Sequence, residues 1–284
     1  MRVLRFGPLL LSVVLISACG RRGGVDPHLD EAYPAKLSGW SLFTAGVQPA
    51  KGVATYDVVT PLFSNYAAKR RTVWMPAGSK AQFNPSSVFD FPIGSILTKT
   101  FSFPQKDGSE RLIETRLLVR QKSGWIALMY VWNREGTEAT LEPTPEPVPV
   151  KWVDRSGNEH SAMYDIPNVN QCTVCHKDGA PLGPVARNIK LEQWTAAGYL
   201  EGSPPKAPAP PGTSDERALA YIDVNCNSCH REGTRAKPLD MTRRDEMLKR
   251  METLDPEKRM PTIGRSVVHA EGVALIREWA SRAR

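Results

Sequence analysis

The chain lacks the features that define several common classes of protein. Its N-terminal apolar run, Leu9 to Ile16, is too short to cross a membrane, because a spanning helix needs about 20 apolar residues. No internal repeat is present apart from one pair of cysteine motifs, which excludes a solenoid. Only 5 of the 284 residues are cysteine. A chain of this length is sufficient for one large or two modest domains, and it is not a mini-protein that depends on disulfides.

The first 18 residues resemble the signal peptide of a bacterial lipoprotein. Two arginines precede the apolar run, and two small residues stand directly before Cys19, as in a signal that is cleaved at a lipidated cysteine. We expect Cys19 to carry lipid and residues 19–32 to form a flexible tether. An ordinary signal peptide is the alternative. The absence of Asp after Cys19 favours the outer membrane, with the chain on the periplasmic side.

The net charge of the chain is +7 at pH 7. A basic balance is typical of proteins that bind nucleic acid. An exported chain does not meet that partner, so we expect no nucleic acid among the partners of this protein.

Residues 33–164 have the pattern of an all-β domain. Short alternating segments are separated by turn residues such as Asp107-Gly108 and Ser123-Gly124, which is typical of hairpins. The candidate strands are 71–75, 95–103, 111–120 and 125–132. Successive hairpin-linked strands predict an antiparallel sandwich or barrel.

From residue 165 onward the pattern changes to helices and Pro-rich loops. Thr213 to Glu216 matches a helix-capping box, and Ala270 to Arg282 carries a helical apolar stripe. We therefore predict a multidomain chain in which the β domain is followed by a mostly α region. That region divides into an abbreviated unit, 165–212, and a closing unit, 213–284.

Two Cys-x-x-Cys-His motifs carry the chemistry. Two thiols three residues apart on one helical turn reach the two vinyl groups of a haem, and the adjacent histidine turns toward the iron. The motif residues are Cys172, Cys175 and His176, then Cys226, Cys229 and His230. The motifs predict two covalently attached c-type haems, with His176 and His230 as axial ligands.

Paired cysteines also occur in thioredoxin-like and zinc-binding proteins, but neither class fits this chain as well. A thioredoxin-type motif occurs once, near a βαβ pattern that this chain does not have. A zinc ribbon spaces its pairs by about 15–20 residues, whereas some 50 residues lie between Cys175 and Cys226. With lipid on Cys19 and haem on the remaining four, no cysteine is left over.

The closing unit resembles a class I cytochrome c. It has an opening helix, the second motif, the segment Lys258-Arg259-Met260-Pro261 and a closing helix. In that family the methionine of such a Met-Pro pair is the distal iron ligand, so the resemblance assigns this role to Met260. Met241, Met247 and Met251 are alternatives, although the helical run 243–254 favours a packing role for the last two.

The first haem has no obvious distal ligand. Neither methionine nor a second histidine lies between Lys177 and Asn225. The candidates are His160, Met163 and Met241, or no ligand at all. In cytochromes c a Pro carbonyl can bond the proximal histidine, and by resemblance the loops at Pro181 and at Pro238 are expected to do so here.

The chain as a whole resembles a family of bacterial di-haem c-type cytochrome lipoproteins with an N-terminal β domain. The matching segments are 60–64, 67–70, 114–132, 166–171 and 181–188. This resemblance implies the architecture and the cofactors but names no substrate.

Three functions are compatible with these features. The first is single-electron transfer between periplasmic or membrane redox proteins, which needs only the two motifs. The second is a peroxidase-like enzyme, which needs an open position on the first haem. The third is a ligand-binding β domain coupled to a cytochrome, which needs an apolar cleft on that domain. No acid–base constellation is evident, so an electron carrier is favoured over an enzyme.

Overall fold

The computed structural model describes residues 24–176, 179–201, 209–234 and 236–282. The predicted signal peptide, 1–18, and Cys19 lie outside the described residues. Within the described ranges, no helix combines the length and apolarity needed to cross a bilayer.

A six-stranded antiparallel sheet is the largest element of the fold. The first seven strands of the chain are β1 Ala54–Tyr56, β2 Ala68–Trp74, β3 Ala81–Gln82, β4 Ile96–Pro104, β5 Glu110–Gln121, β6 Gly124–Trp132 and β7 Ala139–Leu141. The sheet has the order β1-β2-β4-β5-β6-β7, and β3 lies outside it. The four strands predicted from alternation are confirmed, with bounds that differ by at most three residues.

Two small ladders complete the β structure. β8 (Val148–Val153) and β9 (Glu159–Tyr164) form an antiparallel hairpin, and β10 (Leu200–Glu201) pairs in parallel with β3. The second ladder connects residues on either side of the predicted boundary at 164/165. The chain is therefore held together across that position by backbone hydrogen bonds.

The prediction of a sandwich or barrel is wrong. The sheet is open, since β1 and β7 are its outer strands, and the described residues contain no second sheet of comparable size. Alternation along a strand indicates that one face is buried but does not indicate what covers it. In this fold loops and helices cover both faces.

The prediction of a mostly α, cytochrome c-like region is also wrong. The helices are α1 Val169–Cys175, α2 Glu192–Ala196, α3 Ser214–Asn225, α4 Arg244–Glu252 and α5 Ala270–Arg282. They lie only in the C-terminal part of a mostly β chain, with long loops between them. Prolines in these loops, such as Pro181, Pro184 and Pro238, cannot continue a helix.

Individual helix predictions nevertheless hold. The capping box is present, because the Thr213 side chain accepts from the Glu216 amide and the Glu216 carboxylate accepts from the Thr213 amide. α5 has the predicted bounds. Helices α3, α4 and α5 share a small core that includes Ile222, Met251 and Ile276.

One face of the six-stranded sheet, the closed face, packs against residues 24–53. Trp40 and Leu117 are fully buried there. Threonine hydroxyls pair across the strands on this face: Thr72 with Thr98 at 2.6 Å, and Thr100 with Thr115 at 2.8 Å. These four hydroxyls of the closed face are thus satisfied inside the sheet.

The opposite face, the cavity face, is turned toward the C-terminal part of the chain. Its residues include Arg71 on β2, Lys99 on β4 and Arg116 on β5. The C-terminal part is fastened to the β structure by side-chain hydrogen bonds, among them Phe63 N to Asn225 Oδ1 at 2.8 Å and Thr60 N to Asn188 Oδ1 at 2.7 Å. A cavity lies between the two parts.

Candidate functional site

Both cysteine motifs line one cavity of about 760 Å³. This volume is within the range of about 300–1,000 Å³ that cofactor sites occupy. The first motif lies on α1, which begins at a capping box formed by Asn168 and Gln171. The second motif follows α3 directly. Two helix ends that are far apart in sequence therefore present their motifs to the same space.

The two motif histidines are held in the same way. His176 Nδ1 lies 2.8 Å from the Ala180 carbonyl, and His230 Nδ1 lies 2.9 Å from the Lys237 carbonyl. A carbonyl oxygen only accepts, so each Nδ1 carries a proton, and in the neutral ring Nε2 keeps its lone pair. This is the tautomer that a histidine needs in order to bind a metal through Nε2.

Burial favours the neutral ring further. Desolvation lowers the pKa of His176 to about 4, and the positive charges of Lys99, Arg116 and Arg231 lower it in the same direction. The ring is therefore uncharged at neutral pH, as a metal-ligating imidazole must be.

The carbonyls that bond the histidines are one residue from those expected. Each belongs to the residue before a proline, Ala180 before Pro181 and Lys237 before Pro238. A residue before proline prefers extended backbone, and both loops follow an Xaa-Pro-Leu pattern. The predicted loops are the correct ones, but the acceptor is the residue that precedes the proline.

The first motif is seated on the sheet through a glycine. Gly179 has a φ of +70°, and a Cβ at this position would lie 2.5 Å from the Trp125 carbonyl oxygen on β6. Only a residue without a side chain allows this approach. Gly179 N also bonds the His176 carbonyl at 3.0 Å, so this glycine contacts both the sheet and the motif histidine.

The four motif cysteines are in two states. Cys175 and Cys229, one from each motif, are joined by a disulfide with a Cα–Cα distance of 4.9 Å. Cys172 and Cys226 are free thiols. Burial raises the pKa of Cys172 and raises that of Cys226 to about 11. Both free thiols are therefore protonated at neutral pH.

The candidate distal ligands lie in different places. Met241 and Pro261 line the cavity, whereas Met260 is not among the lining residues. His160 is 43 % exposed on the β8–β9 hairpin, where it contacts Asp154, and Met163 is 48 % exposed. Among the candidates for the first haem, only Met241 is thus a wall residue of the cavity. The role of Met260 stays a prediction.

Sequence reasoning missed the charged residues of the cavity wall. Arg71, Lys99 and Arg116 all line the cavity, and the Glu114 carboxylate is fully buried beside Arg116. The pattern that points to them is a charged residue on an otherwise apolar face of a strand, as Lys99 lies between Leu97 and Phe101.

In the described part of the chain, no three His, Cys, Asp or Glu side chains gather into a group able to hold a metal ion. Comparison of the chain with family models, with curated proteins and with solved structures finds no match. The candidate site therefore depends on its own geometry.

Proposed function

We propose that the chain is a di-haem c-type cytochrome that transfers single electrons. One observation carries the proposal. His176 and His230 each follow a Cys-x-x-Cys pair, each fix Nδ1 to a backbone carbonyl, and each belong to the wall of the same cavity. Two sites with the same three features are difficult to explain by packing alone.

The residues present suit a haem. Next to the thiols and imidazoles the wall offers apolar groups such as Leu97, Leu118 and Met129, and cationic groups on the same sheet face. A haem combines an apolar ring with two carboxylates. When bound, it supplies one-electron redox chemistry at its iron.

The chain's own residues would hold and orient the two haems. The Ala180 and Lys237 carbonyls fix the planes of the two imidazoles, because a hydrogen bond at Nδ1 limits rotation of the ring. The sheet forms one wall of the cavity, and residues of the C-terminal loops such as Pro238 and Met241 form another. The apolar part of this wall would lower the local dielectric and so influence the reduction potential.

The Cys175–Cys229 disulfide must open before both haems attach. Reduction by a dithiol transfers two electrons and two protons and leaves two thiols. Cys172, Cys175, Cys226 and Cys229 would then hold the two haems as thioethers, and addition of a thiol to a vinyl group would consume no oxidant. The disulfide is thus a state of the chain before attachment.

Thiol–disulfide exchange is a second candidate function, favoured by the bond between the two motifs. The exchange reaction requires a thiolate. Burial raises the pKa of Cys172 and that of Cys226, which keeps both neighbours of the disulfide protonated. We therefore rank this function below electron transfer.

The peroxidase-like and ligand-binding alternatives make different demands on this cavity than electron transfer does. The sheet supplies one wall of the cavity that holds the motifs, which favours one shared site over a separate ligand site on the β structure. An enzyme would need an open iron position. Export, lipid on Cys19, an outer-membrane location on the periplasmic side and redox-protein partners belong to the same proposal and depend on the sequence features alone.

The proposal is tested by producing the chain together with a cytochrome c maturation system. We expect the intact mass to increase by two haems, and the haem absorbance to remain with the chain after denaturation. The Cys172→Ala/Cys175→Ala variant should lose one haem, and Cys226→Ala/Cys229→Ala should lose the second. Cys19→Ala serves as the matched control, since it should alter lipidation and keep both haems.

A chain that leaves this system without covalent haem would overturn the proposal. If two haems are attached, carbon monoxide added to the reduced protein separates the alternatives. No spectral change is the result expected of an electron carrier. Carbon monoxide binding at the first haem, followed by turnover of peroxide, would favour the enzyme.

A further inference from the structure

Three cations form a row across the cavity face. Arg71 on β2 is paired with Lys99 on β4, and Lys99 is paired with Arg116 on β5. Like charges at directly opposed positions of an antiparallel pair are destabilising. A sheet that keeps such a row on a buried face needs negative charge near it.

Carboxylates of the chain supply only part of that charge. Arg116 makes a bidentate ion pair with Glu114, with N–O distances of 2.8 and 2.5 Å. Arg71 Nη1 lies 3.7 Å from the half-exposed carboxylate of Asp57. Both arginines therefore have an acidic partner, one inside the protein and one at its rim.

Lys99 has no such partner. Among the described residues, no carboxylate oxygen lies within 4.0 Å of its Nζ, which lies 4.9 Å from the centroid of the Phe101 ring, and the charge of Glu114 acts on it only from a longer distance. Arg116 contacts the same ring at 4.4 Å. Burial of an uncompensated cation is costly, and desolvation lowers the pKa of Lys99 well below its ordinary value.

The row faces the first cysteine motif. Its residues and those of the motif line one cavity. Cys172 of this motif also packs against the cluster that includes Phe101 and Met129 on the same sheet face. A ligand bound at His176 would therefore lie within reach of the unpaired lysine.

We propose that Lys99, flanked by Arg71 and Arg116, is a carboxylate-binding site that takes the propionate groups of the haem attached at Cys172 and Cys175. This inference rests on the proposed function. The cavity matches the two ends of the cofactor, since apolar side chains and a cationic row lie on the same sheet face. Propionates would supply the negative charge that the chain does not.

The test compares the Lys99→Met variant with the wild-type chain, and each is measured with and without attached haem. In the haem-free form the variant should unfold at an equal or higher temperature, because an unpaired buried cation is removed. In the haem-loaded form it should unfold at a lower temperature and show a lower midpoint potential, because the propionates lose their partner. Lys99→Arg should restore both values.

Lys106→Met is the matched control, since Lys106 is 83 % exposed in the β4–β5 hairpin. It should give small shifts of the same sign in both forms. If Lys99→Met behaves like this control in both forms, the row does not hold propionates and the inference is overturned. The intact mass reports haem attachment separately, so a failure of the proposed function is recognised before any shift is measured.

A soluble carboxylate could occupy the same site in place of the haem propionates. Sodium acetate is titrated at constant ionic strength while the unfolding temperature is recorded. In the haem-loaded wild type we expect no saturable rise, since propionates occupy the row. A saturable rise that disappears in Lys99→Met would overturn the propionate source. If no haem attaches, a saturable rise in the haem-free wild type supports a carboxylate site, and its absence overturns it.

Discussion

The two faces of the central sheet are built from the same strands yet are organised differently. On the closed face, Thr100 and Thr115 hydroxyls pair with each other and Leu117 is fully buried. On the cavity face, Lys99 and Arg116 stand next to these threonines along the strands and border a cavity. Alternation of side chains along a strand thus separates a face that stabilises the fold from a face that is able to bind a ligand.

The largest expected effect concerns the buried carboxylate of the cavity face. Glu114→Gln leaves Arg116 without its partner and weakens the hydrogen bond from Tyr164, now 2.8 Å long. Loss of one partner from a buried ion pair costs about 3–5 kcal/mol. Chemical denaturation of the haem-free chain measures this loss.

Glu110→Gln is the control on the closed face, where Glu110 pairs with the more exposed Arg70. An exposed pair is worth about 0–1 kcal/mol. Equal losses for the two variants would contradict the view that charge is more strongly coupled to stability on the cavity face.

Two adjacent leucines of β5 test the packing of the faces. Leu117→Ala on the closed face should cost about 2–5 kcal/mol, because a fully buried side chain is removed from a dense core. Leu118→Ala on the cavity face should cost about 1 kcal/mol, since this side chain is only partly buried and borders the cavity. Denaturant midpoints compare the pair, and a larger loss for Leu118 would reverse the assignment of the faces.

The hydroxyl pairs of the closed face make a smaller contribution. Thr115 accepts a hydrogen bond from Trp132 Nε1 at 2.9 Å. Thr115→Val leaves that buried donor unpaired at a cost of about 1–3 kcal/mol. Thr140→Val on β7, where the side chain is exposed, should change the free energy of unfolding by less than about 0.5 kcal/mol. Thermal unfolding of both variants tests the difference.

The cavity face also predicts that stability depends on pH. Burial lowers the pKa of Lys69 to about 7, and the charges of Arg71 and Arg116 act in the same direction. The pKa of a lysine in an unfolded chain is about 10.4. Between these values the unfolded chain binds a proton that the folded chain does not, so stability rises from about pH 7 to about pH 10.

Lys69→Met should reduce this rise and leave the part that comes from Lys99, whose pKa is also lowered by burial, while the exposed Lys106→Met should leave the whole rise in place. Unfolding temperatures recorded from about pH 6 to about pH 10 provide the measurement, since this range brackets both titrations. A rise of the same size in Lys69→Met would show that a different group causes it.

Local patterns were sufficient for the elements of this fold. Strand-like runs between turn residues located β4, β5 and β6, and the Thr213 to Glu216 capping box located the start of α3. These predictions succeed because strand alternation and helix caps depend on neighbouring residues. The predictions of a sandwich or barrel and of a mostly α C-terminal region were wrong. Both depend on which distant segments cover each face of the sheet.

The candidate site shows the same division. The two Cys-x-x-Cys-His motifs were readable from spacing, and the loops after them were expected from the resemblance to cytochromes c. The cation row was not, because Arg71, Lys99 and Arg116 become neighbours only through the register of β2, β4 and β5. The exposed position of His160 and the place of Met241 in the cavity wall likewise follow from chain packing.

The sequence by itself determined the motif residues, the strands β2, β4, β5 and β6, the starts of α3 and α5 and the likeness of its N-terminus to a lipoprotein signal. Each of these depends on residues a few positions apart. Only the tertiary structure decided that both motifs share one cavity, that Cys175 meets Cys229 and that three cations face them. Those juxtapositions come from contacts between residues tens of positions apart, whose formation depends on burial of the whole chain rather than on local preference.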